Sequence, residues 1–506
     1  MNPILASLIC ACGIAGLFYL NRDRTVRTSR ALWIPVGYFW IMGSRSISEW
    51  LNIGHPGDAD SQLEGSPVDA AVFGLLIIAA VAVLLRRRRR ALILLRSNLP
   101  VLLYFFVCLV STSWSVHPDV AFKRWIKSII DIAMVLVIVT DVQPLAALQR
   151  FISRAGFILL PTSVLFIKYM PNLGRSFAAN GVGMNTGTST NKNVFGLVIL
   201  LVSLGTLWQI ISLIRTKSRT ERRRPLIAQC VLLLFGLILF KMADSATSLA
   251  CFLLGGSILI AANLRMFRTR PGRMQALCLG TISLFILYFL LSGSADVAGA
   301  LGRQSNLSGR TDIWAALLPT VPNPVIGAGF ESYWIGPGPA VAWATLLRAG
   351  WWHPELLVTE AHNGYIEMYL NLGWVGVGLI GIVIVAGYRR AMGAVRKHSW
   401  AGSLPLAYVM AAIFYDLTEA GFRSLNPMWM FLLLGIFTAT GVKAGMVNLP
   451  ISRKRIGNVI PGLAATPANA ISNSPGENEG GFRDEVVRSR WGSEMPARFT
   501  GKQGGI

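Results

Sequence analysis

The stretch EAHNGYIEMYLNLGWVGVGLIG, Glu360–Gly381, decides how this chain is read. Its second half is a glycine-rich apolar run suited to a membrane. Its first half sets Glu360, His362, Asn363 and Glu367 at the mouth of that run. A helix entering a bilayer has no need of a His-Asn-Gly turn between two carboxylates, so the turn asks for a reason beyond insertion.

The rest of the chain supports the membrane reading. Of its 506 residues 53% are hydrophobic and 14% charged, and the mean hydropathy is +0.53. Soluble domains carry about a quarter charged residues. Apolar runs near the roughly 20 residues that cross a bilayer recur throughout. They fall at 2–20, 31–48, 69–85, 92–112, 125–140, 151–168, 193–214, 225–241, 248–264, 274–292, 369–388, 401–417 and 428–445. The expected fold is an all-α polytopic bundle of about 12–13 spans with one large extracytoplasmic loop. Residues 1–292 hold the first ten or so spans, 293–368 the loop and 369–445 the last three spans. Residues 446–506, rich in Gly, Pro, Ser and Asn, read as a disordered cytoplasmic tail. A β-barrel would show short alternating segments instead.

The net charge of +23 comes from short basic clusters between apolar runs, as membrane topology produces, so it does not point to nucleic acid. Alternate connections are basic: NRDRTVRTSR, Arg86–Arg90, RTKSRTERRR, RMFRTRPGR and RRAMGAVRK, with the weakly charged DVQPLAALQR the one exception. The others, including the long 293–368 stretch, are mixed or acidic, apart from 168–192, which has three cations and no acid. Lys and Arg favour the cytoplasmic side. The expectation is therefore a multi-pass membrane protein with an extracytoplasmic N-terminus and a cytoplasmic C-terminus. The N-terminal run has no preceding basic residue and reads as a first span rather than a cleaved signal. The six cysteines lie in apolar segments and suggest neither a disulfide framework nor a zinc site.

The polar residues gather on the outward side. The long loop carries Arg303, Arg310, Asp312, Glu360, His362 and Glu367, and its tryptophans argue for an ordered cap with short helices such as GRTDIWAALLP. Loop 168–192 holds Lys168, Arg175 and Lys192 and no acid. Plainer accounts exist for each: His362-Asn363-Gly364 as a helix cap, Arg303 as a surface charge, Arg310 and Asp312 as a local pair. Lys127 and Asp131, one helical turn apart, read as a mutually neutralising pair, because an unpaired charge in a bilayer is costly. Taken together, outward cations beside a histidine and carboxylates suit a lipid-linked sugar diphosphate. Arginine matches phosphate oxygens, and a base is needed for the acceptor hydroxyl. An anion transporter is the rival of another class, and the absence of an evident internal repeat counts against it.

Three motifs then stand in order: STNKNVFG (Ser189–Gly196), SGRTDIWAALLPTVPNPVIGAGFESYW (Ser308–Trp334) and the opening stretch. In that order they resemble the bacterial O-antigen ligase and polymerase superfamily, and within it the ExoQ-type exopolysaccharide polymerases. The resemblance implies metal-independent, inverting transfer from an undecaprenyl-diphosphate-linked glycan, without a cofactor, to a glycan acceptor. The polymerase is the leading reading, a ligase delivering the glycan to lipid A core the alternative. A flippase and a chain-length regulator would be companions. It also implies that Arg310 holds the diphosphate and that His362 acts on the acceptor as base, with Glu360 and Glu367 orienting it or serving as base themselves. The earlier family arginine is matched by Arg175 or Lys192. Asn193, Asn363 and Arg303 complete the expected substrate-binding set.

Overall fold

The computed structural model describes residues 2–23, 26–53, 65–177, 181, 183–292, 310–350 and 360–446. Arg303 and the expected tail lie outside the described residues. The helices, in order, are α1 (Pro3–Leu20), α2 (Trp33–Gly43), α3 (Ile47–Leu51), α4 (Pro67–Arg86), α5 (Arg88–Arg96), α6 (Leu99–Ser111), α7 (Pro118–Val139), α8 (Pro144–Tyr169) and α9 (Pro171–Gly174). A short antiparallel hairpin follows, β1 (Arg175–Phe177) on β2 (Gly183–Asn185). Then come α10 (Lys192–Thr216), α11 (Arg219–Ala243), α12 (Ala246–Asn263), α13 (Arg265–Thr269), α14 (Pro271–Ser292), α15 (Arg310–Leu317), α16 (Gly338–Arg348), α17 (Gly364–Lys397), α18 (Ser399–Tyr415) and α19 (Pro427–Ala444).

Among the described residues eight helices are long and apolar enough to cross a membrane, or nine if the bent pair α5–α6 is one span. This is fewer than the thirteen apolar runs. The run at 31–48 forms a helix of only 11 residues. The run at 401–417 forms α18, 17 residues long. The run at 125–140 lies within α7, which also carries Lys123, Arg124, Lys127 and Asp131. The all-α polytopic membrane fold stands; the number of helices that qualify as spans is smaller.

Burial sorts the helices into shells. On α18 every residue from Ala401 to Ala412 is buried, and it packs on α10, α12, α17 and α19. A helix apolar all round is one surrounded by others. In α19, 83% of the most apolar window is buried, against 11% in α1 and α4. Those outer helices expose Ile4, Leu8, Leu75, Ile78 and Leu85, which in a membrane face lipid.

One charged residue sits differently from expectation. Asp131 is fully buried and does not pair with Lys127. It accepts a hydrogen bond from the Tyr38 hydroxyl at 2.7 Å and another from the Leu425 backbone N–H at 3.2 Å. Asp131 faces the bundle interior, where these two donors satisfy it, while half-buried Lys127 points elsewhere.

The outer part of the chain is locked to the bundle by a break in α17. The helix is interrupted at Gly373 (φ 60°). The break frees the carbonyls of Leu370 and Asn371 and the N–H groups of Trp374 and Val375. The loop NPVIGAG fills it: Ala328 N–H donates to Leu370 O, Gly329 N–H to Asn371 O, Trp374 N–H to Pro324 O and Val375 N–H to Val325 O. A Cβ on Gly373 would lie 2.3 Å from the carbonyl carbon of Val325, and one on Gly327 would lie 2.4 Å from that of Asn371. The two backbones touch only because both residues are glycine. Above this clamp α15, α16 and the first turns of α17 share a small core of their own, including Ile313, Leu317, Tyr333, Leu346 and Leu370.

Candidate functional site

The His-Asn-Gly turn is a helix N-terminus built around close contacts. The Asn363 side-chain oxygen accepts from the N–H groups of Tyr365 and Ile366, capping α17. Its Nδ2 donates to Leu417 O. Gly364 N–H donates to Asp416 O at 2.7 Å, and a Cβ there would fall 2.0 Å from Asp416 Oδ1. Ala361 is held from both sides, its carbonyl by Trp314 Nε1 and its N–H by Glu367 Oε2. The segment is fixed on either side of His362, which takes a left-handed conformation (φ 48°).

His362 is thereby set between two carboxylates. Its Nδ1 lies 3.1 Å from Glu360 Oε1 and 3.6 Å from Glu419 Oε2. Neither contact meets the geometry of a good hydrogen bond, the second being too long. Burial alone would lower the imidazole pKa, but the two carboxylates outweigh it and raise it from 6.5 to about 9. At neutral pH the ring is an imidazolium. Burial would raise the Glu360 pKa, yet His362, Arg423 and Arg310 together hold it below the usual carboxylate value.

Glu419 is the hub beneath. Its Oε1 accepts from Arg310 Nη2 at 3.0 Å and its Oε2 from Asn193 Nδ2 at 3.0 Å. Arg310 opens α15, and its other terminal nitrogen donates to Thr418 O. Arg423, from the same connection between α18 and α19, lies 3.5 Å from Glu360 and 3.9 Å from Glu367. Glu331, on the loop after the Gly-x-Gly clamp, accepts from the backbone and hydroxyl of Ser424, and its carbonyl accepts from Arg124 of α7.

Exposure gives the cluster a direction. The side chains of Arg310, His362, Glu360 and Arg423 are 22–30% exposed, those of Glu419 and Glu367 8% and 1%. The open edge therefore presents three cations and the Glu360 carboxylate, and Glu419 and Glu367 lie underneath. Glu360, His362 and Glu419 also bring their donor atoms within 4.8 Å of one another, a grouping that a metal ion could use. The arginines on the same carboxylates already supply positive charge there. The sequence had shown no such grouping, because Glu419 stands 57 residues from His362.

Of the expected site residues, the fold joins His362, Glu360, Arg310 and Asn193 through Glu419. Glu367 does not touch His362. It is buried below the turn, accepting from Trp334 Nε1 and the Ala361 N–H. Asn363 spends its amide on backbone groups, so it shapes the turn. Arg175 is exposed on β1, donating to Ile167 O. Lys192 precedes Asn193 at the start of α10, half-buried and without an ion-pair partner among the described residues. Sequence reading missed Glu419, Arg423 and Arg124. The signal for the first two was present: the short connection DLTEAGFRSLN puts Asp416, Glu419 and Arg423 between two apolar runs.

These features define a polytopic helical membrane protein with a polar His/Glu/Arg cluster where α17 begins. Residues 230–381 match the family model described as O-antigen ligase, a stretch that contains Arg310 and His362. The chain is also similar to the exopolysaccharide production protein ExoQ of Rhizobium meliloti (strain 1021), at 27% identity over 101 residues. That match covers 20% of this chain and 22% of the relative. Both support the O-antigen ligase/ExoQ-type superfamily read from the motifs.

Proposed function

We propose that this protein transfers a glycan from an undecaprenyl-diphosphate carrier to a sugar hydroxyl at the extracytoplasmic membrane surface, as a polymerase of polysaccharide repeats. The observation that carries the reading is the open edge of Arg310, His362 and Arg423 over buried Glu419 and Glu367. A departing diphosphate gains negative charge, and preorganised cations held by buried carboxylates meet it without reorganisation. Because His362 is cationic at neutral pH, we assign it to the diphosphate with Arg310, rather than to the acceptor. Glu360, ionised and partly open, is then the proton acceptor for the attacking hydroxyl. The oxygen–carbon bond to the acceptor forms as the bond to the diphosphate oxygen breaks, with inversion at that carbon, and no metal ion is needed.

The orientation belongs to the same proposal: the cluster end faces outward and the basic ends of α4, α11 and α17 face the cytoplasm. The resemblance to ExoQ favours polymerase; the family description favours ligase. The test is a deletion in the native host, scoring polysaccharide length and lipopolysaccharide banding together. Loss of long polysaccharide with normal lipopolysaccharide supports the polymerase. Lipopolysaccharide reduced to bare core makes the protein a ligase, and no change in either overturns glycan transfer.

A further inference from the structure

A second site lies at the far end of α17 from His362. Its lining on α17 runs from Gly378 to Arg390, so its cationic end lies some 26 residues along the helix, at most roughly 40 Å from its start at 1.5 Å per residue. There α17 and α19 part around a cavity of about 900 Å³. Its walls are mostly apolar, with Ile382 and Val385 more than half exposed. Its end carries Arg389, Arg390 and Lys443, and among the described residues no carboxylate lines it.

The neighbouring chain fits a membrane boundary at that level. Helix α5 carries Arg88, Arg89, Arg90 and Arg96 and turns its Ala91 and Leu94 inward. It meets α6 at 86°, so if α6 crosses the membrane α5 lies along the surface. Ser97, at the bend, accepts from Arg390 Nη2 at 2.7 Å and also lines the cavity. On that arrangement the three cations would sit at headgroup depth, with the apolar walls running from there into the bilayer.

We propose that this groove is a binding site for an anionic diacyl phospholipid of the cytoplasmic leaflet. Its phosphate meets Arg389, Arg390 and Lys443, and an acyl chain lies against Ile382 and Val385. Charge complementarity selects the occupant. A zwitterionic lipid brings a choline or ethanolamine cation among these three cations, with no carboxylate among the described lining residues to receive it. Basic pockets between helices on the cytoplasmic side are suited to anionic headgroups. The leaflet follows from the orientation proposed above; lipid binding itself is independent of glycan transfer and is tested apart from it.

The test is native mass spectrometry of the full-length, detergent-purified protein titrated with phosphatidylglycerol or phosphatidylcholine. One phosphatidylglycerol should be retained in preference to phosphatidylcholine. Each cation removed near an anionic headgroup weakens binding roughly fivefold. The double variant Arg389→Gln/Lys443→Gln should therefore retain phosphatidylglycerol about 25-fold more weakly. Gly381→Trp is the second variant: a Cβ there meets nothing within 4 Å, so its bulk enters the groove rather than the core. It should abolish the retained lipid with all three cations in place. Equal retention of the two lipids, unchanged binding in either variant, or displacement of phosphatidylglycerol by polyprenyl phosphate would each overturn the proposal.

Discussion

Glu419→Gln is the perturbation that probes the site's construction most sharply. The change keeps the shape of the side chain and removes its charge. In the native protein Oε1 serves Arg310 and Oε2 serves Asn193 and faces His362. A glutamine that keeps its oxygen on Arg310 turns its NH₂ toward the Asn193 amide donors and the imidazolium. Removing one partner of a buried charge pair costs about 3–5 kcal/mol. Arg310 keeps its bond to Thr418 O, and His362 keeps Glu360, so the lower end applies, about 3 kcal/mol. If that is expressed in the transition state, transfer slows roughly 150-fold. The assay is transfer in proteoliposomes from a labelled undecaprenyl-diphosphate oligosaccharide, with wild type and variant matched for folded protein. A second readout separates a role in the site from a role in folding. With one carboxylate gone the His362 pKa falls, so the alkaline limb of the pH–rate profile should move below about 9. A variant within threefold of wild type, with its alkaline limb unmoved, would refute the hub assignment.

Other consequences are as direct. The His362 pKa is raised by folding, so the stability it contributes is fully present below 6.5 and is lost as pH rises through about 9. The difference corresponds to about 3 kcal/mol at most, and the thermal midpoint of wild type should fall across that window while that of His362→Gln stays flatter. Gly373→Ala should destabilise the purified protein by about 2 kcal/mol or more, since it adds a left-handed non-glycine residue and a Cβ 2.3 Å from the Val325 carbonyl carbon. An unchanged melting temperature would show that the loop clamp gives way at no cost. Transfer should survive saturating EDTA; loss restored by a divalent ion would instead make Glu360, His362 and Glu419 metal ligands.

The membrane class and the His-Asn-Gly helix entry were legible in sequence because both rest on local patterns; Arg310 came from the motif resemblance, and the fold places it in the same candidate cluster. Apolar run length marks a helix suited to lipid, and HNG before such a run marks a capped entry. The shape of each span was less legible. Run length alone does not show the bend between α5 and α6, nor that a helix of only 17 residues, α18, carries the chain from the basic end of α17 back to the His362 turn. Glu419 and Arg423 were missed because their partners lie on other elements; the packing of α18 against α17 brings that connection against His362. Asp131 shows the same limit. Helical spacing suggested Lys127, but the interior it faces offered Tyr38 and Leu425 instead.

The central claim is that the His362–Arg310 edge performs the transfer. It is tested most directly by purifying His362→Ala and Arg310→Ala from membranes and measuring glycan transfer from the same labelled donor. The account predicts normal insertion and wild-type yield with transfer reduced at least 100-fold in each, as loss of a preorganised charge contact at a departing oxyanion typically gives. Near-normal transfer by either purified variant would contradict it.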